Sequence, residues 1–428
     1  MTIENLYKLF TECSGVTTDS RNCPTDSMFI ALKGERFDGN GYAKKAIELG
    51  CKYAIVDDPE QANGENILLV EDGLKALQQL ARHHRRELGL PLIAITGTNG
   101  KTTTKELTAS VLASQYTLLA TEGNLNNHIG VPLTLLKLKK THRIGIIEMG
   151  ASKQGDIKEL VEIAEPNMGI ITNIGIAHIE GFGSPEIVKQ TKGELYDYIQ
   201  KTDGLLFVNG ADSILMEMSA PIKRIIYGAA PNTIAAGEID HSKPTLTFTL
   251  RVGQTSQPVL TQLIGAYNLT NALAACAVGS YLNVAINNIK EALEAYQPNN
   301  MRSQYKRTEK NELIIDAYNA NPTSMEAALR DFAQRSNSNK LVILGDMKEL
   351  GEIAEEEHRR IASLLNELNI AEALLCGEVF STTAPSTLRC FATTDELRRY
   401  IQNNNPTDKI ILIKGSRSMK LESIVDLL

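Results

Sequence analysis
The chain has little with which to cross-link, anchor or coat itself. Its six cysteines, at positions 13, 23, 51, 276, 376 and 390, are scattered and contain no C-x-x-C pair. That spacing offers neither a disulfide framework nor a zinc site, and a reducing compartment is the natural setting. The opening MTIENLYKLF has no apolar signal core, and no hydrophobic run approaches the length of a membrane span. A cytoplasmic protein with no membrane span is therefore expected. Positive charge is also in deficit: 44 lysines and arginines against 51 acidic residues leave a net charge of −7. That balance argues against a nucleic-acid or anionic-membrane binder. Arg82-His83-His84-Arg85-Arg86 is the one dense basic cluster. It falls late in the helical pattern Leu74, Leu77, Ala81, Leu88 and reads as a solvated face or a complement to a helix C-terminus.

What remains is an ordinary globular composition, 43% hydrophobic and 22% charged over 428 residues. That length suffices for about three domains. The most informative stretch runs from Pro91 to Thr104. A strand-length apolar run breaks into Gly97-Thr98-Asn99-Gly100, and Lys101-Thr102-Thr103 opens a helical segment. Glycines at 97 and 100 let consecutive N–H groups converge on an anion, and the following helix presents its positive end. Lys101 would reach terminal phosphates and the Thr102 hydroxyl a Mg2+ ion. Position 95 is isoleucine, so the loop is G-x-x-G-K-T, shorter than the usual G-x-x-x-x-G-K-[ST]. The bland alternative is a tight strand-to-helix turn with an incidental lysine.

A small α/β module precedes this loop. Residues 28–32, 53–56 and 67–70 are apolar runs of strand length, with helical patterns at 42–49 and 72–88. Thr18-Asp19-Ser20-Arg21 gathers hydroxyls, an acid and a guanidinium, which suits a phosphorylated or uridine-like ligand or simply a turn. After the loop, Gly123-Asn124-Leu125-Asn126-Asn127 is dense in amides, groups that both donate to and accept from a polar substrate. The strand-like run 143–150 ends in the carboxylate of Glu148, where a phosphate-loop enzyme needs a further Mg2+ contact. Another such run, 170–175, leads into the glycine-rich segment containing His178, a candidate metal or phosphate ligand. Lys192 sits in a helical context and by itself reads as surface. Leu246, Phe248, Leu250 and Val252 alternate with polar residues, the pattern of a half-buried antiparallel strand.

The turn Tyr296-Gln297-Pro298-Asn299-Asn300 marks a second boundary. Beyond it four strand-like runs, 313–316, 341–346, 373–377 and 410–415, alternate with helical patterns, which makes a parallel sheet covered on both faces. Asp316, Asp346 and Lys414-Gly415-Ser416-Arg417 fall at strand carboxyl ends, where such sheets bind ligands.

Thr96-Gly97-Thr98-Asn99-Gly100-Lys101-Thr102, with its short loop, resembles the Mur ligases and folylpolyglutamate synthases, ATP-dependent amide-forming enzymes of three domains. Five further stretches are similar to the D-alanyl-D-alanine-adding member of the Mur ligase family. They are Gly123-Asn124-Leu125-Asn126-Asn127 with Gly130-Val131-Pro132, Ala177-His178-Ile179-Glu180-Gly181-Phe182-Gly183, Asp316-Ala317-Tyr318-Asn319-Ala320-Asn321-Pro322, Leu344-Gly345-Asp346-Met347-Lys348-Glu349-Leu350-Gly351 and Lys414-Gly415-Ser416-Arg417-Ser418. The resemblance runs from Asp19-Ser20-Arg21 to the last of these.

It implies an α/β fold of three domains: a small N-terminal α/β substrate domain at 1–88, a central P-loop ATPase-like domain with a mostly parallel sheet at 89–299, and a C-terminal Rossmann-like domain at 300–428. It implies ATP and Mg2+ as cofactors, a UDP-N-acetylmuramoyl-tripeptide and D-alanyl-D-alanine as substrates, and a monomer. Gly97, Thr98, Asn99, Gly100, Lys101, Thr102 and Thr103 would hold the ATP phosphates, and Asn268, Arg302 and Asp316 the rest of the nucleotide. Thr102 would hold one Mg2+, and Glu148 and His178 a second. Lys192 matches a lysine that is carbamylated in relatives, a change that replaces an ammonium repelling Mg2+ with anionic oxygens. Lys101, Glu148, His178 and Lys192 thus form the implied catalytic set. Ser20, Arg21, Asn124, Asn126, Asn127, Asn319, Asn321, Ser416 and Arg417 would contact substrate. Three rivals stay open at this point: a family member adding a single amino acid or glutamate, a nucleotide-dependent binding protein that forms no bond, and a degenerate, purely structural homologue that binds no ATP.

Overall fold
The computed structural model describes residues 1–428 apart from 178, 230–231, 299–300 and 337–338. His178 and the expected boundary at Asn299-Asn300 therefore lie outside the described residues. The chain folds into three α/β units in sequence order. No helix among the described residues is long and apolar enough to cross a membrane.

The first unit is a parallel sheet of Val16–Thr17, Met28–Ile30, Tyr53–Val56 and Ile67–Leu69 in that spatial order. The helix Gly73–Leu88 follows, its start capped by the Asp72 carboxylate and its end released by Gly89 at φ 62°. Its buried stripe, including Leu77, Leu80 and Ala81, packs into a core that continues without a break on both sides. Leu6, Met28, Ile30 and Ile55 meet it from the first unit, and Leu92, Val131, Leu135 and Leu160 from the second. The two units therefore share one core.

The last turn of this helix departs from the reading of a solvated basic face. Arg85 is 7% exposed and His84 8%. The Arg85 guanidinium donates to the carbonyls of Ala164 and Glu165 and to Asn167 Oδ1, at 3.0 to 3.2 Å. His84 Nε2 sits 2.9 Å from the Leu138 carbonyl, and Arg86 pairs with the Glu165 carboxylate. The helix Asp156–Ala164 ends here with carbonyls that lack intrahelical donors, and a neighbouring helix supplies them. The cluster does complement a helix C-terminus, but it belongs to a different helix.

The second unit carries an all-parallel six-stranded sheet. Its order is Arg224–Tyr227, Leu205–Asn209, Met168–Ile171, Leu92–Thr96, Ile144–Glu148, Leu118–Ala120. The four strands from Leu205–Asn209 to Ile144–Glu148 are buried along their whole length, which explains their unbroken apolar sequences. Ile95 pairs with Glu148 and Thr96 with Ile171, so three loops open side by side at one carboxyl edge. A three-stranded antiparallel sheet, Ala236–Ile239, Thr247–Val252 and Thr255–Leu260, is appended. Phe248 and Leu250 face inward there, as their alternation predicts.

The third unit is a six-stranded sheet ordered Gln304–Arg307, Glu312–Asp316, Ile410–Lys414, Lys340–Gly345, Glu372–Cys376, Arg389–Phe391. The first pair is antiparallel and the rest parallel. Asp316 and Lys414 are register partners, so both project from the carboxyl edge that faces the second unit's loops.

Candidate active site
The phosphate loop takes its shape from two glycines and a ring of amides. Gly97 has φ 141° and Gly100 φ 80°, conformations that disfavour a side chain. A methyl group on Gly97 would lie 2.0 Å from Thr172 Oγ1, and one on Gly100 would lie 2.5 Å from Asn271 Oδ1. Between them the Asn99 N–H donates to Asn173 Oδ1 (3.0 Å). The Asn99 carbonyl accepts from Thr172 Oγ1 (2.6 Å) and Asn173 Nδ2 (2.9 Å). Thr172 and Asn173 thus set the loop's curvature. The sequence marked them as a strand end only, because their contacts to the loop cross more than 70 residues. The helix Lys101–Ala113 follows, with Thr102 nearly buried at its start. Lys101 Nζ turns back onto the Gly97 and Thr98 carbonyls at 2.7 and 3.0 Å. Burial holds its pKa below the ordinary lysine value; the nearby Glu148 charge opposes that and Arg302 adds to it.

Glu148 ends the neighbouring strand and is 2% exposed. Its Oε1 accepts from Asn126 Nδ2 (2.8 Å), whereas Oε2 is buried with no hydrogen-bond partner among the described residues. A buried carboxylate oxygen of this kind is costly unless something cationic meets it. With the Thr102 hydroxyl across the loop, the donors present are hard oxygens, the set that suits Mg2+. The residues fit the ion. Asn127 Oδ1 accepts from the Ile129 and Gly130 N–H groups at the start of the helix Gly130–Leu135.

Loop, Glu148 and amides form one wall of a cleft of about 1100 Å³. Asn268 and Asn271, on the helix Asn268–Tyr281, form its side. Asn271 accepts from Thr104 Oγ1 (3.1 Å) and donates to Asn268 Oδ1 (2.8 Å), and Asn268 donates to Ser303 Oγ (3.1 Å). The third unit supplies the opposite wall. Lys414 Nζ donates to Asp316 Oδ2 at 2.6 Å, and the Arg302 guanidinium lies 3.7 Å over the Tyr318 ring. Arg302 Nε is buried without a partner among the described residues.

The cleft brings together Thr98–Thr103 in sequence, Asn124, Asn126, Asn127, Glu148, Asn268, Arg302, Asp316 and Asn319. Other expected site residues stand elsewhere. Ser20 and Arg21 do not line it; Arg21 is exposed and paired in two bonds with Asp19, whose carboxyl it holds down at about 2. Ser416 accepts from the Lys348 N–H and so braces a loop of its own unit, while the exposed Arg417 lies 5.2 Å from the outer Tyr318 ring. Asn321 points at Asn99, not into the cleft. Asp346, at a strand carboxyl end, is fully buried and accepts from the Val379 and Phe380 N–H groups, capping a helix instead of facing a ligand. Lys192 is not surface: it is 2% exposed, with Nζ 5.5 Å from the Phe182 ring centroid. Burial, reinforced by the Lys101 charge, pushes its pKa down to about 7 against the opposing pull of Asp156 and Glu194.

The chain matches the Mur ligase middle domain over residues 95–279, the Mur ligase glutamate ligase domain over 301–417 and the Mur ligase family catalytic domain over 12–85. It belongs to the Mur ligase family. This Mur ligase is 35% identical over 424 residues to the UDP-N-acetylmuramoyl-tripeptide--D-alanyl-D-alanine ligase of Bacillus subtilis, covering 96% of this chain and 92% of that one. The Escherichia coli protein of the same name is 33% identical over 420 residues, with the same coverage. Among solved structures, MurF from Acinetobacter baumannii is 32% identical with a TM-score of 0.88, covering 100% of this chain and 98% of that one. MurF from Thermotoga maritima, solved in complex with ADP, shares the fold at a TM-score of 0.87 and 24% identity over 98% of this chain and 97% of that one.

Proposed function
We propose that this Mur ligase joins D-alanyl-D-alanine to the C-terminal carboxylate of a UDP-N-acetylmuramoyl-tripeptide, consuming ATP and releasing ADP and phosphate. The observation that carries the reading is a phosphate loop and a buried carboxylate oxygen, without a hydrogen-bond partner among the described residues, facing a second sheet's carboxyl edge across one cleft. A carboxylate is a poor electrophile, so it must first be activated. Its oxygen attacks the ATP γ-phosphate to give an acyl phosphate and ADP. The loop N–H groups hold the transferring phosphate, and Lys101 exchanges the Gly97 and Thr98 carbonyls for it. Thr102 and Glu148, with His178 and a carbamylated Lys192, would hold Mg2+, which supplies charge neutralisation when bound. With a pKa near 7, the Lys192 amine is largely neutral in mildly alkaline solution, and the neutral amine is the form that adds CO2.

The dipeptide amine then attacks the acyl carbon, and phosphate leaves. Asn124, Asn126 and Asn127 orient the acceptor carboxylate, and Asn319 with Arg417 receives the dipeptide. Asn268, Arg302 and Asp316 take the remainder of the nucleotide, and Ser20 and Arg21 the uridine diphosphate. Exclusion of water matters because acyl phosphates hydrolyse, and the third unit supplies the covering wall. We place the enzyme in the cytoplasm, acting as a monomer. The test is a ligation assay with ATP, Mg2+, the UDP-linked tripeptide and D-alanyl-D-alanine. Lys101→Ala should abolish ADP release that depends on both substrates; substantial turnover by that variant would refute the loop's role, and peptide formation with single amino acids in place of the dipeptide would reassign the substrate.

A further inference from the structure
We infer that Asn321 is a positioning residue: it couples the phosphate loop to the third unit through Asn99 and does not contact substrate. The inference rests on the ligase reading above for its consequence, though not for its geometry. Asn321 is 5% exposed and every polar atom of its side chain is engaged. Its Oδ1 accepts from the Ser324 N–H (2.9 Å), and its backbone N–H donates to Ser324 Oγ (3.1 Å), a capping box that starts the helix Pro322–Gln334. Its Nδ2 donates to Asn99 Oδ1 at 2.8 Å, and Asn99 Nδ2 returns toward Asn321 Oδ1 at 3.4 Å. These two residues are 222 positions apart and lie in different units.

Asn99 is the loop residue immediately before Gly100, and its backbone is already fixed by Thr172 and Asn173. Its side chain extends that fixed point across the gap. Two residues after Asn321, Thr323 Oγ1 accepts from the Ile176 N–H (3.1 Å), and a methyl group on Gly175 would come within 2.9 Å of the same oxygen. The other end of the helix is tied as well. Asp331 Oδ1 accepts from the Ala266 N–H (2.7 Å), and Arg335 bridges Asp331 to the Pro244 carbonyl (2.8 Å). A helix of 13 residues, about 20 Å long, is thus strapped to the second unit at both ends, and the end at Asn321 abuts the phosphate loop.

Whatever orders the loop steadies the strap, and by reciprocity the strap steadies the loop. Loosening the Asn321 end lets the covering wall lift while the acyl phosphate is present. Water then attacks that intermediate, returning the carboxylate and inorganic phosphate, so ATP is converted to ADP and phosphate with no peptide bond formed.

Asn321→Ser in the full chain separates this role from simple capping, because serine keeps the helix cap but is too short to reach Asn99. The expected result is an unchanged thermal midpoint, a phosphate-to-peptide ratio raised from one to at least about two, and a larger radius of gyration by solution X-ray scattering. Asn99→Ala combined with Asn321→Ser should be no worse in that ratio than the poorer single variant, since both remove the same contact. A one-to-one ratio with unchanged scattering overturns the inference, as does a lowered midpoint with the ratio still one-to-one, the signature of a cap alone. If the wild type forms no peptide bond, the ligase reading fails, and scattering by itself decides the coupling: expansion supports it and its absence refutes it.

Discussion

Gly100→Ala is the substitution whose effect the geometry fixes most closely. Two separate terms oppose it. The residue has φ 80°, where an L-residue's Cβ crowds the following carbonyl at a cost of roughly 1–2 kcal/mol. The new methyl carbon also lies 2.5 Å from Asn271 Oδ1 and 3.0 Å from its Nδ2, so that side chain must swing away. In doing so it gives up the bonds to Thr104 and Asn268, each worth about 1 kcal/mol in a buried setting. The sum is a destabilisation of about 3–4 kcal/mol, together with loss of ATP binding because the loop N–H groups no longer converge. Asn271→Ala alone forfeits the same two bonds. The double variant therefore loses those bonds once, and its destabilisation should fall short of the two singles added together by about 2 kcal/mol. Urea denaturation of the four proteins measures the cycle, and calorimetric titration with ATP reads the site. Additivity within about 0.5 kcal/mol would show that the methyl does not act through Asn271, and the account of the loop would be wrong.

Two further expectations concern charge. Arg85→Ala strips donors from the Ala164 and Glu165 carbonyls and from Asn167 at the seam between the first two units, and should lower stability by about 2–3 kcal/mol by urea denaturation; a change under about 1 kcal/mol would return this arginine to the solvated face. Lys192→Met removes a buried amine whose folded-state pKa is about 7 against an ordinary 10.5. Between those values the unfolded chain keeps a proton that the folded chain has released, so wild-type stability rises with pH across that window. The methionine variant should therefore exceed wild type most at pH 7 and below, with the gap closing toward pH 10.5; denaturation in CO2-free buffer at pH 6 and 9 giving equal gaps would refute the buried neutral amine.

Most of the architecture was legible because its signals are local. The apolar runs at Leu92–Thr96, Ile144–Glu148 and Ile410–Lys414 are short, continuous and bounded by glycine or polar residues, so strand identity and the loop at 97–102 follow from neighbours in sequence. The strand end marked Glu148 and family resemblance added Asn268, and both line the cleft. The failures share one cause. Arg85 finds acceptors about 80 residues away, Asp346 serves N–H groups more than 30 residues on, and Asn321 meets a partner 222 positions back. A polar residue's partner depends on the assembled units, and no periodicity announces it. Lys192 illustrates the same limit from the other side: lysine in a helical context predicts solvent, and only the assembled fold, with Phe182 beside its Nζ, removes it from water.

The shared core beneath the helix Gly73–Leu88 has a consequence for what the enzyme accepts. The first two units are fused through continuous apolar packing and the Arg85 hydrogen bonds, whereas the strap helix of the third meets the second through polar ties at its ends and a smaller apolar contact around Ile264. The spacing between the first unit and the phosphate loop is therefore built in. On the proposed reading, a substrate that must touch both has its length measured by a rigid caliper, and one shorter or longer by one residue would present its reacting carboxylate at the wrong mark.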